Sequence, residues 1–166
     1  MNIKLSHIGI ALLASSSFSA LANQIVAGSN STATGDIVVE LGSIVGLNIT
    51  PNASLTIDDV LQGPAAKIAT FNVLGEQAAV RFIDADADDS SCSYLYGKSN
   101  NNHKLQVCLG DVSAGYVSTD DGTIKYYKYS AGSHVIIGGK ANTNTQLTNV
   151  GADDYTLKME VVKYNI

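Results

Sequence analysis

The stretch STATGDIVVELGSIVGL, residues 31 to 47, alternates small or apolar residues with polar ones and so has the period-two pattern of a β-strand. The small and apolar positions are Ala33, Gly35, Ile37, Val39 and Leu41. The polar positions between them are Thr32, Thr34, Asp36 and Glu40. A strand of this kind has one apolar face, which must pack against a sheet. Which sheet it joins decides the fold.

A second extended run begins almost directly after this strand. Gly42 interrupts the pattern, and SIVGLNIT, residues 43–50, resumes it. Two interpretations are open from the pattern alone. In the first, residues 32–41 are an ordinary first strand of a complete β-sandwich. In the second, they precede the domain, which starts at residue 42, and pair with another sheet.

The first 22 residues have the organisation of a cleaved export signal. Lys4 lies in a short polar start, an apolar stretch follows at residues 8–13, and the segment ends on the small-x-small sequence Ala20-Leu21-Ala22. The apolar stretch is shorter than the ~20 residues that a membrane-spanning helix needs. We therefore expect a mature chain that begins at Asn23 and acts outside the cytoplasm.

The length and net charge of this mature chain limit its number of domains and the classes of partner that it binds. Subtracting 22 residues from 166 leaves 144, which suits one domain with a hydrophobic core. Without Lys4, nine Lys and Arg residues remain against fifteen Asp and Glu residues, a net charge of −6. An acidic balance argues against nucleic acids and anionic membrane surfaces as partners.

Two cysteines flank a predicted β-hairpin. In CSYLYGKSNNNHKLQVC, residues 92–108, polar turn-formers separate two β-prone arms. A hairpin centred on Asn100 pairs Tyr96 with Lys104 and places Cys92 opposite Cys108. Directly opposed residues lie about 4.5 to 5.5 Å apart, which suits a disulfide, and an exported chain meets an oxidising compartment. The competing interpretation is two free buried thiols, and a metal site would need more ligands than this pair.

Short β-type runs separated by polar or glycine-containing breaks continue along the rest of the chain. They are KIATFNVLG, AAVRFID, SCSYLYG, KLQVCLG, GTIKYYKYS, SHVIIGG and DYTLKMEVVKYNI. The best helical candidate is a short turn at TIDDVLQG, residues 56–63. Many short strands with turn signals predict an all-β chain with the fold of an immunoglobulin-like sandwich.

The last of these runs alternates clearly. Tyr155, Leu157, Met159 and Val161 share one face of the predicted strand, and Thr156, Lys158 and Glu160 share the other. The sequence ends at Ile166, soon after this strand. We therefore expect that a complete sandwich takes its last strand from another part of the chain or from another subunit.

Several sequence patterns resemble metal-binding or catalytic motifs but lack residues that those motifs require. DADADD, residues 84–89, opens like a calcium loop, but Asp89 stands where a turn glycine is needed and Leu95 where a bidentate Glu belongs. Neither His103 nor His134 lies in a motif that activates a nucleophile or binds zinc. We expect no enzyme activity, no metal and no cofactor.

KYYKY, residues 125–129, is a candidate receptor face. Successive residues of a strand point to opposite sides, so Tyr127 and Tyr129 share one face and Tyr126 lies on the other. Tyrosine is favoured at recognition surfaces because it offers a large contact area and a hydroxyl. Tyrosines are equally common in ordinary strands, so this interpretation stays open.

Three segments together resemble pilins of the chaperone–usher pathway, within them the Saf-pilin group, which is related to the Afa/Dr-type polyadhesins. The segments are TGDIVVEL at 34–41, PAAKIATFNV at 64–73 and GADDYTLKMEVVKY at 151–164. The resemblance implies an immunoglobulin-like sandwich that lacks its last strand and is completed by a donor strand from another subunit. It also implies passage through the periplasm to a fimbrium at the cell surface.

The resemblance implies roles for particular residues. Residues 23–41 become an N-terminal donor-strand extension, in which Ile37, Val39 and Leu41 are the deep plugs and Ala33 and Gly35 fill shallow pockets. The acceptor groove then borders the strand that contains Tyr155, Leu157, Met159 and Val161, which is also the strand that a periplasmic chaperone pairs with before assembly. The implied partners are identical or related pilin subunits, the chaperone, an outer-membrane usher and a host-cell receptor.

Two hypotheses of function follow from the sequence. The first is a structural fimbrial subunit that polymerises by donor-strand complementation and presents a host-binding face on each copy. The second is a self-contained secreted binding module of immunoglobulin-like fold, which needs no strand from a partner. A small secreted hydrolase is a third class, which the absence of a recognisable catalytic motif in the sequence disfavours.

Overall fold

The structure is a computed structural model that describes residues 31–34, 37–38, 45–53, 55–144 and 146–165. The predicted export signal and residues 23–30 lie outside these ranges, as do Gly35, Val39 and Leu41 of the predicted donor strand. For residues 31–34 and 37–38 the structure gives the backbone pairing.

The described chain forms two antiparallel β-sheets. The first has the strand order β2-β1-β11-β5-β9-β8. Its strands are β1 (Ser31–Thr34), β2 (Ile37–Val38), β5 (Ala78–Phe82), β8 (Tyr116–Ser118), β9 (Lys125–Tyr129) and β11 (Lys158–Lys163). The second has the order β3-β4-β10-β7-β6. Its strands are β3 (Gly46–Pro51), β4 (Lys67–Leu74), β6 (Cys92–Tyr96), β7 (Lys104–Leu109) and β10 (Gly132–Gly138).

The main core lies between the two sheets. Leu47, Phe71 and Ile136 come from the second sheet, and Phe82 and Met159 from the first, and all five are buried in one cluster. Two facing antiparallel sheets that enclose one apolar core form an immunoglobulin-like sandwich, as the sequence predicts.

A second, smaller cluster lies on the outer face of the first sheet. It consists of Ala79, Val117, Tyr126 and Val162, with Ile124 and Tyr164 packed against it. Strands β5, β9 and β11 therefore bury side chains on both faces. This double burial explains why β11 reads as a nearly continuous run of buried residues at Met159–Val162, although the pattern predicts strict alternation.

The hairpin between β6 and β7 has the predicted register. Tyr96 lies opposite Lys104, Cys92 lies opposite Cys108, and the two cysteines form a disulfide. Lys104 Nζ lies 3.7 Å from the centroid of the Tyr94 ring on the same hairpin. The disulfide prediction is thus confirmed, together with the strand pairing from which it was inferred.

Helical structure in the described residues is limited to single turns. Helix α1 (Ile57–Val60) begins at Thr56, whose side chain accepts from the Asp59 backbone N–H while the Asp59 carboxylate accepts from the Thr56 N–H. Such a capping box satisfies backbone groups at a helix start. No helix among the described ranges is long or apolar enough to cross a bilayer.

The long connection from β10 to β11 begins beside strand β7 of the second sheet. It starts with a 3-10 turn, Lys140–Thr143, in which Asn142 is fully buried. The Asn142 side chain accepts from the Gln106 N–H and donates to the Gln106 carbonyl, both at 2.8 Å. Asn142 thus continues the β7 ladder where β10 ends.

The free edges of the sheets are short or interrupted. Strand β8 has three residues, β3 ends at Pro51, and β6 is bridged on its free side by Ala85 opposite Ser93. On that same side the Asp86 N–H donates to the Cys92 carbonyl at 2.8 Å. Proline lacks the N–H that a sheet ladder needs, so Pro51 removes one donor from the outer edge of β3.

Candidate functional site

Strand β11 has one edge on β5 and the other on the N-terminal segment. On the first side, Met159 lies opposite Phe82 and Val161 opposite Val80. On the second side, β1 pairs antiparallel with β11, with Ala33 opposite Met159. The edge of β11 that faces away from β5 is therefore a site at which this fold accepts an antiparallel strand.

The N-terminal segment differs from the prediction in its extent. The pattern predicts one strand over residues 32–41, but the structure has two short strands, since β1 pairs with β11 and β2 folds back on β1. Ile37 lies opposite Thr34 in this second pairing and not on the edge of β11. The roles predicted for Ala33, Gly35, Ile37, Val39 and Leu41 as donor plugs remain predictions.

An apolar cavity of about 820 Å³ opens where β11 begins. Residues from β3, α1, the β6–β7 hairpin and the segment before β11 line it. Among them are Ile49, Val60, Leu95, Leu105, Tyr155 and Leu157. We call this cavity, together with the adjoining edge of β11, the β11 groove. It contains the predicted groove residues Tyr155 and Leu157 in its cavity and Met159 and Val161 on its strand.

The segment before β11 departs from the predicted strand. The alternating pattern starts at Tyr155, but β11 begins at Lys158. Tyr155 instead forms an isolated bridge with Gly97 of the other sheet's hairpin, and its hydroxyl donates to the Gly151 carbonyl at 2.8 Å. The bridge to Gly97 places this segment beside the second sheet, and the cavity lies at this end of the groove.

Asp153 fixes the wall of the cavity to the β6–β7 hairpin. Its fully buried carboxylate accepts from the backbone N–H groups of Ser99 and Asn100, both at 2.9 Å, and lies 3.1 Å from His103 Nδ1. The hydrogen bonds that this carboxylate accepts lower the pKa of Asp153 from its ordinary value of 3.8 to about 2, and the bond from the Ser99 N–H has the largest effect. A Cβ at Gly97 would overlap this carboxylate, which explains the glycine there.

We expect the Asp153→Asn variant to unfold several degrees below the intact chain at neutral pH, because the amide cannot accept all of these bonds. A carboxyl group whose pKa is lowered by folding stabilises the fold above its unfolded value and loses that contribution as pH falls. The stability of the intact chain should therefore fall from about pH 4 toward pH 2, and the variant should lose less over this window. Thermal unfolding by circular dichroism measures both.

The matched control for this variant is Asp154→Asn at the neighbouring exposed residue, which changes the net charge equally. Equal pH profiles for the intact chain and Asp153→Asn would contradict the role given to the Asp153 carboxylate.

A polar network crosses the outer face of the first sheet at the centre of β11. Glu160 is 7 % exposed, and its Oε2 accepts from Arg81 Nε at 2.8 Å and from the Tyr126 hydroxyl at 3.0 Å. Glu160 also lies directly opposite Thr32 of β1. The sequence pattern placed Glu160 on an outer polar face, but its partners on β5 and β9 have no signal in the sequence.

The predicted receptor face at Tyr126, Tyr127 and Tyr129 is not an exposed surface in this fold. Tyr126 and Tyr129 are only 4 % and 6 % exposed, and burial raises the pKa of both phenols. The Tyr129 hydroxyl donates to the Gly110 carbonyl at 2.6 Å within the main core. The prediction is wrong for these two residues because β9 buries both faces, and Tyr127 alone of the three stays partly exposed.

The acidic loop uses its carboxylates to shape turns. Asp86 accepts from the Asp88 backbone N–H, and Asp89 accepts from both the N–H and the hydroxyl of Ser91. Within the described residues, no three His, Cys, Asp or Glu side chains converge as a metal site would require.

The chain matches no protein-family model and no curated protein. Among solved structures, it is similar to the crystal structure of SefD_dscA in D2O, with 14% identity and a TM-score of 0.46, over 74% of this chain and 96% of that one. It is also similar to the Salmonella SafD adhesin, with 17% identity and a TM-score of 0.42, over 81% of this chain and 84% of that one.

Proposed function

We propose that the chain is a structural subunit of a bacterial surface fimbria and that it polymerises by donor-strand complementation. One observation supports this most directly: the edge of β11 that faces away from β5 accepts an antiparallel strand, here β1, beside an apolar cavity of about 820 Å³. In the proposed polymer, residues 32–41 of one copy occupy the β11 groove of the next copy.

The physical basis is the addition of a strand to an exposed sheet edge. Backbone hydrogen bonds to β11 supply affinity, and side chains at alternate positions enter the core and fix the register. Each large aliphatic side chain that moves from water into such a groove contributes about 1.5 to 3 kcal/mol. The free energy gained by burying Ile37, Val39 and Leu41 thus offsets part of the entropy that is lost when the donor segment becomes ordered.

The remaining roles follow from this assembly mechanism. The resemblance of three sequence segments to chaperone–usher pilins supports a periplasmic chaperone and an outer-membrane usher as partners, and the cell surface as the destination. Host-receptor binding keeps Tyr127 as a candidate contact, since it is the partly exposed tyrosine of KYYKY. We assign the chain a structural role and no catalytic one.

A second function is favoured by the pairing of β1 with β11 inside one chain. If this pairing is permanent, the sandwich completes itself, and the chain is a self-contained secreted binding module. The two functions differ in whether residues 32–41 leave their own chain.

The test compares the intact chain with a deletion of residues 23–41, each coexpressed with its candidate chaperone and usher. Unboiled SDS gels should show a ladder for the intact chain that collapses on boiling, and a chaperone-bound subunit without a ladder for the deletion. A stable intact monomer that needs no partner strand would support the binding module and would refute the fimbrial proposal.

A further inference from the structure

The outer face of β11 presents two opposite charges to any strand that pairs with it. Met159 and Val161 point into the main core, whereas Glu160 contacts Arg81 and Tyr126 on the outer face. Lys158, two residues before Glu160, is on the same outer face and is exposed. A paired strand thus meets a cation and an anion at alternate positions.

Three registers of a donor strand fill the core side of β11 with large aliphatic residues. They place Ile37, Val39 or Leu41 directly opposite Met159. Each keeps the apolar series of the donor facing the core, because the registers differ by two residues and a strand repeats every two. Registers displaced by one residue would turn Asp36 and Glu40 into the core, so they are excluded.

The charges on β11 distinguish these three registers. With Ile37 opposite Met159, Asp36 lies opposite Glu160. With Leu41 opposite Met159, Glu40 lies opposite Glu160. With Val39 opposite Met159, Glu160 instead meets Val38, the one apolar residue in the polar series of the donor, and Glu40 meets Lys158.

We propose that Glu160 and Lys158 select the donor register in which Val39 lies opposite Met159. This inference rests on the proposed function and specifies how the donor strand of one copy seats on the next. In the same register Ile37 lies opposite Val161, and Leu41 comes next to Leu157, which lines the cavity just before β11 begins, so the three plugs meet the predicted groove residues.

Burial makes Glu160 an effective discriminator. Glu160 is 7 % exposed, and its carboxylate is already paired with Arg81 at 2.8 Å, so the positive charge beside it is neutralised. A second carboxylate placed opposite would lose water beside Glu160 and would reach Lys158 only diagonally, and like charges directly opposite each other destabilise a sheet. Glu40 opposite the exposed Lys158 gains a favourable cross-strand pair.

The selected register differs from the one that the single chain adopts. Within the chain, Ala33 lies opposite Met159, and the strand turns back after Thr34. Moving Val39 to that position advances the donor by six residues. Exchange between copies therefore replaces a short pairing by one that seats all three plugs.

Cysteine cross-linking distinguishes the registers. Three full-length variants combine Met159→Cys with Ile37→Cys, Val39→Cys or Leu41→Cys, and each is assembled with chaperone and usher, oxidised, boiled and run without reductant. Opposed Cα atoms lie about 4.5 to 5.5 Å apart, which suits a disulfide. We expect the Val39 variant to give roughly three- to fivefold more covalent ladder than either neighbour, as cross-strand charge pairs allow.

Changes on the donor side test the role of charge and leave β11 untouched. Adding Asp36→Asn and Glu40→Gln should reduce the preference for Val39 and raise cross-linking at Ile37 and Leu41. Asp120→Asn, at an exposed site before β9, is a control for the loss of a surface carboxylate away from the donor and should leave the preference unchanged.

The outcomes separate this inference from the proposed function. If the intact chain forms its heat-sensitive ladder but cross-links best through Ile37 or Leu41, or through none of the three, the register is wrong and the fimbrial assembly stands. If the donor-side charge changes have no effect, Glu160 and Lys158 do not select the register. If the intact chain forms no ladder, the proposed function fails first.

Discussion

A variant in which Ile37, Val39 and Leu41 are all replaced by aspartate is expected to give no SDS-resistant ladder under conditions where the intact chain gives one. Three large aliphatic side chains contribute about 4.5 to 9 kcal/mol when they are buried in a groove. Three carboxylates in their place would have to be desolvated without partners. The loss of binding should therefore be complete on an unboiled gel, whatever the level of expression.

The matched control changes the other face of the same segment, with Thr32→Ala and Thr34→Ala, and should keep the ladder. A ladder that persists in the triple aspartate variant would show that these residues are not donor plugs. If both the intact chain and the variant are monomers and the variant is much less stable, residues 32–41 complete their own sandwich and the binding-module function replaces the fimbrial one.

Removal of the disulfide through Cys92→Ser and Cys108→Ser is expected to lower the free energy of unfolding by about 3 kcal/mol, the amount estimated for a closed loop of about 15 residues. The two cysteines are 16 residues apart in the sequence. Their hairpin contributes Leu95 and Leu105 to the cavity, so in the proposed assembly the variant should also give a weaker ladder at a given temperature. Urea unfolding with constant slope measures the change in stability.

The intact chain unfolded in the presence of reductant is the control for the serine substitutions themselves. It should unfold at nearly the same urea concentration as the double variant. If neither treatment moves the midpoint from that of the oxidised chain, the disulfide does not stabilise the fold.

The parts of the fold that sequence could predict are those set by local chemistry. Turn-formers around Asn100 and β-prone arms determine the β6–β7 register, and with it the pairing of Cys92 with Cys108. Thr56 and the acidic residues after it likewise determine the start of α1. In each case the signal and the structure lie within one short segment.

Two dipeptides typical of turns mark strand ends that the alternating and β-prone patterns do not show. Gly35-Asp36 is a dipeptide typical of a hairpin turn, and it separates β1 from β2, yet the period-two pattern runs through it. Asp121-Gly122 is a second such signal, between β8 and β9, and it indicates the short strand Tyr116–Ser118, which is not among the predicted β-type runs.

The site itself depends on contacts between distant segments. Asp153 and His103 are 50 residues apart, and Arg81 and Glu160 are 79 apart, so no pattern in the sequence connects them. The burial of Tyr126 and Tyr129 has the same origin, because Tyr126 packs in the second cluster on the outer face of the first sheet and Tyr129 packs in the main core. The pattern of β9 alone gives no sign of it.

The short, interrupted edges of the sandwich bear on how copies of this chain aggregate. With three residues in β8, a proline at the end of β3 and a bridge across β6, these borders resist the lateral association that turns exposed sheets into amyloid. In the proposed polymer, growth is then confined to the direction set by donor-strand pairing on β11. We expect such an assembly to form unbranched threads and not sideways aggregates.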